Sequence, residues 1–225
     1  MKHKIAFITG VTGQDGSYLA EFLLNKNYIV HGIRRINSNN NLNNLKKILN
    51  SKKRNRFKLH YGDITDSTNL HKILSKVRPQ EVYNLAAQSH VHVSFQIPEY
   101  THNVNALGCL KLLEAIKNLK INCKFYQAST SELFGNNGNK FQSEKTPFNP
   151  ISPYSISKLY AFNLVNYYKH QGMFACNGIL FNHESPRRGD SFVTQKIINA
   201  ALRIKNNSNE TLKLGNLYAK RDWGL

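Results

Sequence analysis

Short apolar segments alternate with amphipathic segments along most of the chain, and this alternation limits the possible folds more than any other feature. The apolar segments have the length of strands, and the segments between them carry hydrophobic residues at helical spacing. Strands joined by helices form parallel βαβ units. We therefore predict an α/β fold, a doubly wound parallel sheet, with strands at 4–10, 28–35, 57–64, 81–87, 123–130 and 174–181. Helices are predicted at 14–27, 66–77, 99–119 and 152–171, with a further helix within 36–52.

A sheet of this kind places ligands at the carboxyl ends of its strands. That rule selects candidate positions before any motif is considered. They are the residues that follow Thr9, Arg34, Gly62, Ala86, Thr130 and Phe181.

The chain has 225 residues, of which 40% are hydrophobic, so it can bury a substantial core. Its net charge is +18, but the basic residues are spread along the whole sequence. Such spread indicates a compositional bias more than a nucleic-acid surface, and a positive field would still attract an anionic nucleotide. No run of eighteen apolar residues occurs, and the opening segment "MKHKIAFITG" reads as a strand, not a signal peptide.

The cysteines are few, and neither they nor the histidines show metal-ligand spacing. Cys109, Cys123 and Cys176 suggest no disulfide framework, which favours a reducing, cytoplasmic setting. His90 and His92 would share a face on a strand, but no cysteine or carboxylate joins them, so we predict no metal.

A glycine-rich turn, "TGVTGQDG", connects the first strand to the first helix. Gly10 permits a tight turn, Gly13 lets the backbone approach a pyrophosphate, and Gly16 allows close packing of helix on strand. The spacing G-x-x-G-x-x-G differs from the usual G-x-G-x-x-G, but the flanking strand and helix favour a dinucleotide site over a plain glycine turn.

The end of the second strand bears on the choice of cofactor. Arg34 and Arg35 stand where enzymes that use NAD usually carry a carboxylate, and a guanidinium suits a 2′-phosphate, so NADP is favoured over a solvated arginine pair. Asp63, after the third strand, is placed to bond an adenine amine. Simple helix capping near Asp66 is the alternative.

Tyr154 and Lys158 lie one helical turn apart in "SPYSISKLYAF", behind Ser152 as a plausible cap and Pro153 in the first turn. A neighbouring ammonium favours the phenolate form of a tyrosine, which could then take a hydroxyl proton while hydride leaves the same carbon. Lys158 could also bond the nicotinamide ribose.

The fifth strand ends in "ASTSELFG", which puts Ser129, Thr130 and Glu132 at the ligand edge. Thr130 can orient a carbonyl or hydroxyl oxygen. A carboxylate is superfluous for simple oxidation but is needed to remove a proton beside a new carbonyl. A capping or salt-bridging role for Glu132 is the alternative.

Several blocks together resemble a known family. "TGVTGQDGSYLAEFLL", "YNLAAQSHVHVSF", "YQASTSELFG", "SPYSISKLYA" and "CNGILFNHESPRRG" resemble the extended short-chain dehydrogenases/reductases, and within them the GDP-mannose 4,6-dehydratases.

The resemblance implies roles for individual residues. The catalytic group would be Thr130, Glu132, Tyr154 and Lys158. NADP would be contacted by Gly10, Val11, Thr12, Gly13, Gln14, Asp15, Arg34, Asp63, Ile64, Leu85, Ala86, Ala87, Gln88, Ser89, Tyr100, Lys158, His183 and Arg188. GDP-mannose would be contacted by Ser89, Glu132, Tyr154, Asn182, Lys196 and Arg221.

The implied reaction is an elimination with internal redox, which makes the enzyme a carbon–oxygen lyase. C4 of the mannose is oxidised, water is lost across C5 and C6, and hydride returns to C6, giving a 4-keto-6-deoxy sugar on the route to GDP-fucose. The resemblance also implies a homodimer or homotetramer, with "RRINSNN" (34–40) as a candidate interface segment.

The family pattern predicts three parts for this chain: an NADP-binding domain at 1–181, the start of a substrate-binding lobe at 182–216 and a truncated return segment at 217–225. It also predicts a further segment of more than about a hundred residues, typical of two-domain enzymes of this size class, so the guanosine pocket would be incomplete. Two alternatives stay open. One is a non-catalytic NADP-binding fragment. The other is a related sugar-nucleotide enzyme: an epimerase, which Glu132 disfavours because epimerases need no base for C5, or a dTDP-glucose 4,6-dehydratase, which "TSE" in place of an Asp-Glu pair disfavours.

Overall fold

The computed structural model describes residues 3–36, 42–136, 141–206, 209–218 and 220–224. The chain forms two compact units, Met1–Leu180 and Phe181–Leu225. Part of the segment 34–40, namely residues 37–40, lies outside the described residues.

The first unit is built on a sheet of six strands whose neighbours all run parallel. The order across the sheet is β3-β2-β1-β4-β5-β6. This confirms the predicted doubly wound sheet. The strands are β1 (Ile5–Thr9), β2 (Ile29–Arg34), β3 (Phe57–Tyr61), β4 (Glu81–Asn84), β5 (Lys124–Ala128) and β6 (Ala175–Gly178).

The strand order places the ligand crevice. The chain winds outward from β1 to β3, returns to the other side of β1 as β4, and then winds outward to β6. The connections after β1 and β4 therefore diverge, and the gap between the carboxyl ends of these two strands is where doubly wound sheets bind ligands.

Helices cover both faces of the sheet because its central strands are apolar on both sides. Successive residues of a strand point to opposite faces: Ala6 and Ile8 pack with α1 and α2, whereas Phe7 packs with α3, α6 and α7. The helices are α1 (Gln14–Asn25), α2 (Lys46–Leu49), α3 (Ser67–Val77), α4 (Val91–Ser94), α5 (Pro98–His102), α6 (Gly108–Asn118) and α7 (Pro153–His170).

The strands predicted at 57–64 and 174–181 end earlier than expected, at Tyr61 and Gly178. Three other predicted elements also differ from the structure. The helix predicted at 99–119 is interrupted by a π-helical turn, Asn103–Leu107, between α5 and α6. The strand predicted at 81–87 ends at Asn84, because the next two amides bond to the Thr9 hydroxyl instead of to a strand. The helix predicted within 36–52 is only α2, flanked by 3₁₀ turns at Asn43–Leu45 and Lys52–Arg56.

Two predicted helix caps are confirmed. Ser152 Oγ accepts a hydrogen bond from Ser155 N, and Ser155 Oγ accepts one from Ser152 N, which forms a capping box at the start of α7. Asp66 caps α3 by accepting from Asn69 N at 2.9 Å.

The second unit contains a two-stranded parallel sheet, β7 (Asn182–His183) with β8 (Trp223–Gly224), and the helix α8 (Val193–Lys205), which the sequence reasoning did not predict. Several apolar side chains of α8 are exposed, among them Ile198 and Leu202. In the part of the chain that the structure describes, no helix combines the length and apolar character needed to cross a membrane.

Candidate active site

The glycine turn after β1 is shaped by close contacts between backbones. Gly10 has φ +67°, and a Cβ there would lie 2.8 Å from the backbone of Leu85 and Ala86. A Cβ on Gly16 would lie 2.3 Å from the Gly10 carbonyl oxygen. Only glycine fits at either position, and the result is a shallow turn that leads directly into α1.

The start of α1 suits an anion. Its N-cap is Gly13, which supplies no side chain to cap the first-turn amides, and such amides together with the helix dipole attract a phosphate. The side chain of Val11 is fully buried in the core, so this residue can offer only its backbone. Thr12 O accepts from Asn44 Nδ2 at 3.0 Å, and Gln14 Nε2 donates to Asp15 Oδ1 at 3.1 Å.

The two arginines after β2 are each held by a tyrosine. Arg34 donates to the Tyr61 hydroxyl, and its guanidinium lies 4.5 Å from the centroid of that ring. Arg35 donates to the hydroxyl of Tyr100 on α5. These contacts place two cations and the predicted cofactor residue Tyr100 at the carboxyl edge of the sheet, next to the end of β3.

Asp63 and Ile64 follow β3 at the same edge. Asp63 Oδ1 accepts from both Thr65 N (2.8 Å) and Thr65 Oγ1 (2.7 Å), so Asp63 closes a local turn while Asp66 caps the helix. The side chain of Ile64 is buried in the core, 4% exposed. Any contact from Ile64 to an adenine must therefore come from its backbone.

The segment after β4 holds the predicted cofactor residues Leu85, Ala86, Ala87, Gln88 and Ser89. Leu85 N and Ala86 N donate to Thr9 Oγ1 at 3.1 and 3.0 Å, which fastens the segment to β1. Gln88 N donates to Asn105 Oδ1 at 2.9 Å, and Asn105 Nδ2 donates back to Gln88 O at 3.0 Å. The π-helical turn carries Asn105 and thus clamps the far end of the segment.

Lys158 lies on α7 in an apolar environment. Its side chain is almost completely buried, and Nζ donates to the carbonyl oxygen of Ala128, the last residue of β5, at 3.0 Å. Burial lowers the pKa of Lys158 to about 8, and the neighbouring Cys109 acts in the opposite direction. Nζ lies 5.9 Å from the ring centroid of Tyr154, so the tyrosine and the lysine share one face of the helix, as their spacing predicts.

Thr130 and Glu132 stand directly beyond β5. Thr130 Oγ1 accepts from Glu132 N at 3.2 Å and so caps the 3₁₀ turn Ser131–Phe134, which packs against α7. Glu132 is half-buried. The neighbouring Ser129 hydroxyl is buried and lacks a hydrogen-bond partner within the described residues, which is typical of a group that meets a ligand or water.

Ser94 is a site residue that the sequence reasoning missed. Its hydroxyl accepts from Tyr154 N at 3.2 Å and donates to Val91 O at 2.6 Å, so α4 holds the first turn of α7. No local signal marks Ser94, because it lies sixty residues from Tyr154 in the sequence.

The remaining predicted residues lie in the second unit. Arg188 is ion-paired with Glu184 at 3.4 Å and lies 3.7 Å from the centroid of the Phe192 ring. His183 Nδ1 is 2.8 Å from Phe181 O, and β7 contains both Asn182 and His183. Lys196 Nζ donates to Lys213 O at 2.7 Å, and Arg221 is exposed and donates to Lys220 O. Contacts of these residues with a cofactor or sugar nucleotide stay predictions.

The sequence matches the family model described as GDP-mannose 4,6 dehydratase over residues 7–225. A GDP-mannose 4,6-dehydratase of Vibrio cholerae serotype O1 is 56% identical over 229 residues, which is 100% of this chain and 61% of the relative. One of Sinorhizobium fredii is 57% identical, with coverage of 98% and 64%, and one of Drosophila melanogaster is 54% identical, with 99% and 58%. The chain thus spans about three fifths of the length of these curated relatives.

Solved structures show the same architecture. A dTDP-glucose 4,6-dehydratase from Bacillus anthracis in complex with NAD has a TM-score of 0.81 at 26% identity, covering 98% of this chain and 67% of that chain. A UDP-N-acetylglucosamine 4-epimerase from Methanobrevibacter ruminantium has a TM-score of 0.77 at 29% identity, with coverage of 90% and 64%. With its parallel sheet and a family match that runs from the first strand to the last described residues, this chain belongs to the GDP-mannose 4,6-dehydratase family.

Proposed function

We propose that this chain carries the catalytic half of a GDP-mannose 4,6-dehydratase, which converts GDP-mannose to its 4-keto-6-deoxy derivative. One observation carries the proposal: Lys158, buried and anchored to the end of β5, brings Tyr154 on the same helix face to the strand end that Thr130 and Glu132 follow. An oxidoreductase needs only the tyrosine and the lysine. The additional carboxylate is what an elimination requires.

The residues divide the chemistry between them. Tyr154, with the Lys158 ammonium beside it, takes the proton of the C4 hydroxyl, and Thr130 orients the C4 oxygen by a hydrogen bond. A nicotinamide coenzyme, when bound, would supply the hydride acceptor for C4 and the hydride donor for C6. Glu132 removes the C5 proton, which the new C4 carbonyl has made acidic, and passes it to the C6 hydroxyl as that group leaves as water. When hydride returns to C6, C5 takes up a proton, and Tyr154 holds the one that it took from the C4 hydroxyl.

The residues present fit a dinucleotide. The glycine turn lets the backbones of two segments approach closely, and α1 begins without a side-chain cap. At the same edge of the sheet, the buried Ser129 hydroxyl has no hydrogen-bond partner among the described residues. We propose NADP as that dinucleotide, although the related Bacillus anthracis enzyme was solved with NAD. Arg34, at the end of β2, supports this choice because a guanidinium complements a 2′-phosphate, as a carboxylate there would not.

The direct test is product formation by the chain and by a Glu132→Gln variant. The chain is incubated with GDP-mannose and NADP, and the 4-keto-6-deoxy product is followed by its ultraviolet absorbance in alkali. Glu132→Gln is expected to lower the rate by about 10²–10⁴-fold, because it removes the base for C5. Glu144→Gln, at an exposed position, is the matched control.

Two results would separate this proposal from its alternatives. NADP binding without any product would indicate a non-catalytic binding fragment. Full activity in Glu132→Gln would contradict the proton-abstraction role of this carboxylate, whereas an isomerised sugar nucleotide without the 4-keto-6-deoxy product would indicate an epimerase.

We further propose that the protein forms a homo-oligomer. The outer surface of α7 exposes Ile156, Tyr160 and Tyr167, and Leu107 is exposed in the adjoining π-helical turn. Apolar side chains clustered on one surface are typical of an interface between subunits. Light scattering of the purified chain tests this, and a monomer at all concentrations would contradict it.

We also propose a cytoplasmic location. The three cysteines of the chain are unpaired, which supports a reducing compartment.

A further inference from the structure

A row of buried polar side chains crosses the sheet beneath α6 and α7. Thr9, Asn84 and Gln127 are paired with one another in register at the carboxyl ends of β1, β4 and β5, and each is at most 2% exposed. Buried polar groups of this kind are costly unless every one is hydrogen-bonded. Each side chain of the row therefore needs hydrogen-bond partners, and the structure supplies them for all three.

The partners determine the direction of each bond. The Thr9 hydroxyl oxygen accepts from Leu85 N and Ala86 N, so its proton is donated to Asn84 Oδ1 at 2.6 Å. This orients the Asn84 amide, whose Nδ2 donates to Gln127 Oε1 at 2.7 Å.

Gln127 is oriented in the same way. Its Oε1 also accepts from the Cys109 thiol at 3.2 Å, so both acceptor positions of that oxygen are filled. Its Nε2 donates to Ala128 O at 2.9 Å. The same carbonyl oxygen accepts from Lys158 Nζ at 3.0 Å, so the glutamine and the lysine share one acceptor.

We propose that Gln127 is a positioning residue for Lys158: its amide, oriented by Asn84 and Thr9, holds the carbonyl of Ala128 at which the lysine is anchored. The catalytic meaning of this inference rests on the proposed dehydratase function, but the contact itself does not. Because the row begins at the amides of Leu85 and Ala86, it also joins Lys158 to the segment that is predicted to contact the cofactor.

The test measures the titration of Lys158 directly. The chain is labelled with ¹³C at lysine Cε, the Lys158 signal is identified by its absence from Lys158→Met, and its pKa is read from chemical shift against pH. In the unsubstituted chain we expect a midpoint near the value of about 8 that burial imposes.

Gln127→Glu places a carboxylate where the amide stood. In the unsubstituted chain Gln127 Nε2 and Lys158 Nζ both donate to Ala128 O and so lie within about 6 Å of each other. A negative charge at position 127 should therefore raise the Lys158 pKa by about 1 unit or more. Gln127→Met has nearly the same shape and no charge. It should raise the midpoint by a smaller amount, because the Ala128 carbonyl then accepts from Lys158 alone. This second variant preserves the test if the buried glutamate prevents folding.

Asn177→Asp is the matched control, because Asn177 is paired with Gln127 in register on β6 but donates to Phe162 O, not to Ala128 O. It should shift the midpoint by much less than Gln127→Glu does. A Lys158 midpoint unchanged in both Gln127 variants, or shifted equally by Asn177→Asp, would overturn the proposal.

Activity provides the second measurement. If the chain is a dehydratase, Gln127→Met should lower kcat about tenfold with little change in KM, and the alkaline shift of Lys158 should reappear in the pH profile. A chain that makes no product would contradict the proposed function while the lysine titration still decides the contact.

Discussion

His31 and His60 form a stacked pair on neighbouring strands of the sheet. His31 Nδ1 lies 2.9 Å from His60 Nε2, and the two rings are inclined by only 14°. Burial, then the neighbouring His60, then Lys58 lower the pKa of His31 to about 4, and burial also lowers the pKa of His60. Both rings are therefore neutral at pH 7, where one nitrogen donates and the other accepts.

This pair predicts a loss of stability in mild acid. In the unfolded chain His31 takes up a proton near its ordinary pKa of 6.5, whereas the folded protein resists protonation down to about 4. Stability is thus complete above pH 6.5 and falls as the pH drops towards 4, by about 1–2 kcal/mol after allowance for solvent around half-buried rings. Thermal unfolding between pH 7 and pH 4 measures it. His31→Gln should flatten the acid limb, and His71→Gln, at an exposed position, should not.

Removing the phenol or the ammonium should abolish most activity. Tyr154→Phe and Lys158→Met should each lower kcat by about 10²–10⁴-fold, the usual contribution of a general acid–base group. Tyr160→Phe, on the exposed side of the same helix, is the control for Tyr154→Phe. Retention of wild-type kcat in Tyr154→Phe would remove the tyrosine from the mechanism.

The choice of cofactor should depend on Arg34. Arg34→Ala is expected to weaken NADP binding about 10–100-fold, the value of charge-assisted hydrogen bonds to a phosphate, and to leave NAD binding nearly unchanged. Calorimetric titration with both nucleotides measures the ratio. Arg54 lies in the 3₁₀ turn before β3, at the amino end of that strand, so Arg54→Ala should leave the ratio unchanged. Equal losses for NADP and NAD would mean that Arg34 does not recognise the 2′-phosphate.

Gly16→Ala should damage the nucleotide turn. Alanine is the better helix former by about 1 kcal/mol, but its Cβ would lie 2.3 Å from the Gly10 carbonyl oxygen. We expect crowding to dominate, with a net loss of about 1–3 kcal/mol in the free energy of unfolding and weaker NADP binding. Gly215→Ala is the control because its Cβ would meet no atom within 4 Å. Unchanged stability and affinity in Gly16→Ala would contradict the turn geometry.

Ser94→Ala should loosen the start of α7. The change leaves the Tyr154 amide without the Ser94 hydroxyl in a buried environment, which destabilises a protein by about 1–3 kcal/mol. For a chain of this length each kcal/mol lowers Tm by about 2–4 °C. Differential scanning calorimetry of Ser94→Ala and of Ser75→Ala, whose hydroxyl bonds within its own helix, would measure the difference. Equal Tm values would show that Ser94 does not support Tyr154.

Local pattern was sufficient for the class of fold and for part of the site. The apolar runs predicted the strands because a strand buried on both faces admits only such residues. The glycine turn, the Ser152 cap and the four-residue spacing of Tyr154 and Lys158 are likewise local, since each depends on residues within a few positions of one another. The predicted boundaries failed where a tertiary contact replaced a regular bond, as at Leu85 and Ala86.

The tertiary structure alone decided which residues meet. Periodicity shows which face of a strand is buried, but it does not show that β4 lies beside β1, and that pairing brings Thr9 against Asn84 across 75 residues of sequence. The contacts of Lys158 with Ala128, of Tyr154 with Ser94 and of His31 with His60 arise in the same way. They depend on strand order, register and helix packing, which are set by burial over the whole domain, and no short stretch of sequence encodes them.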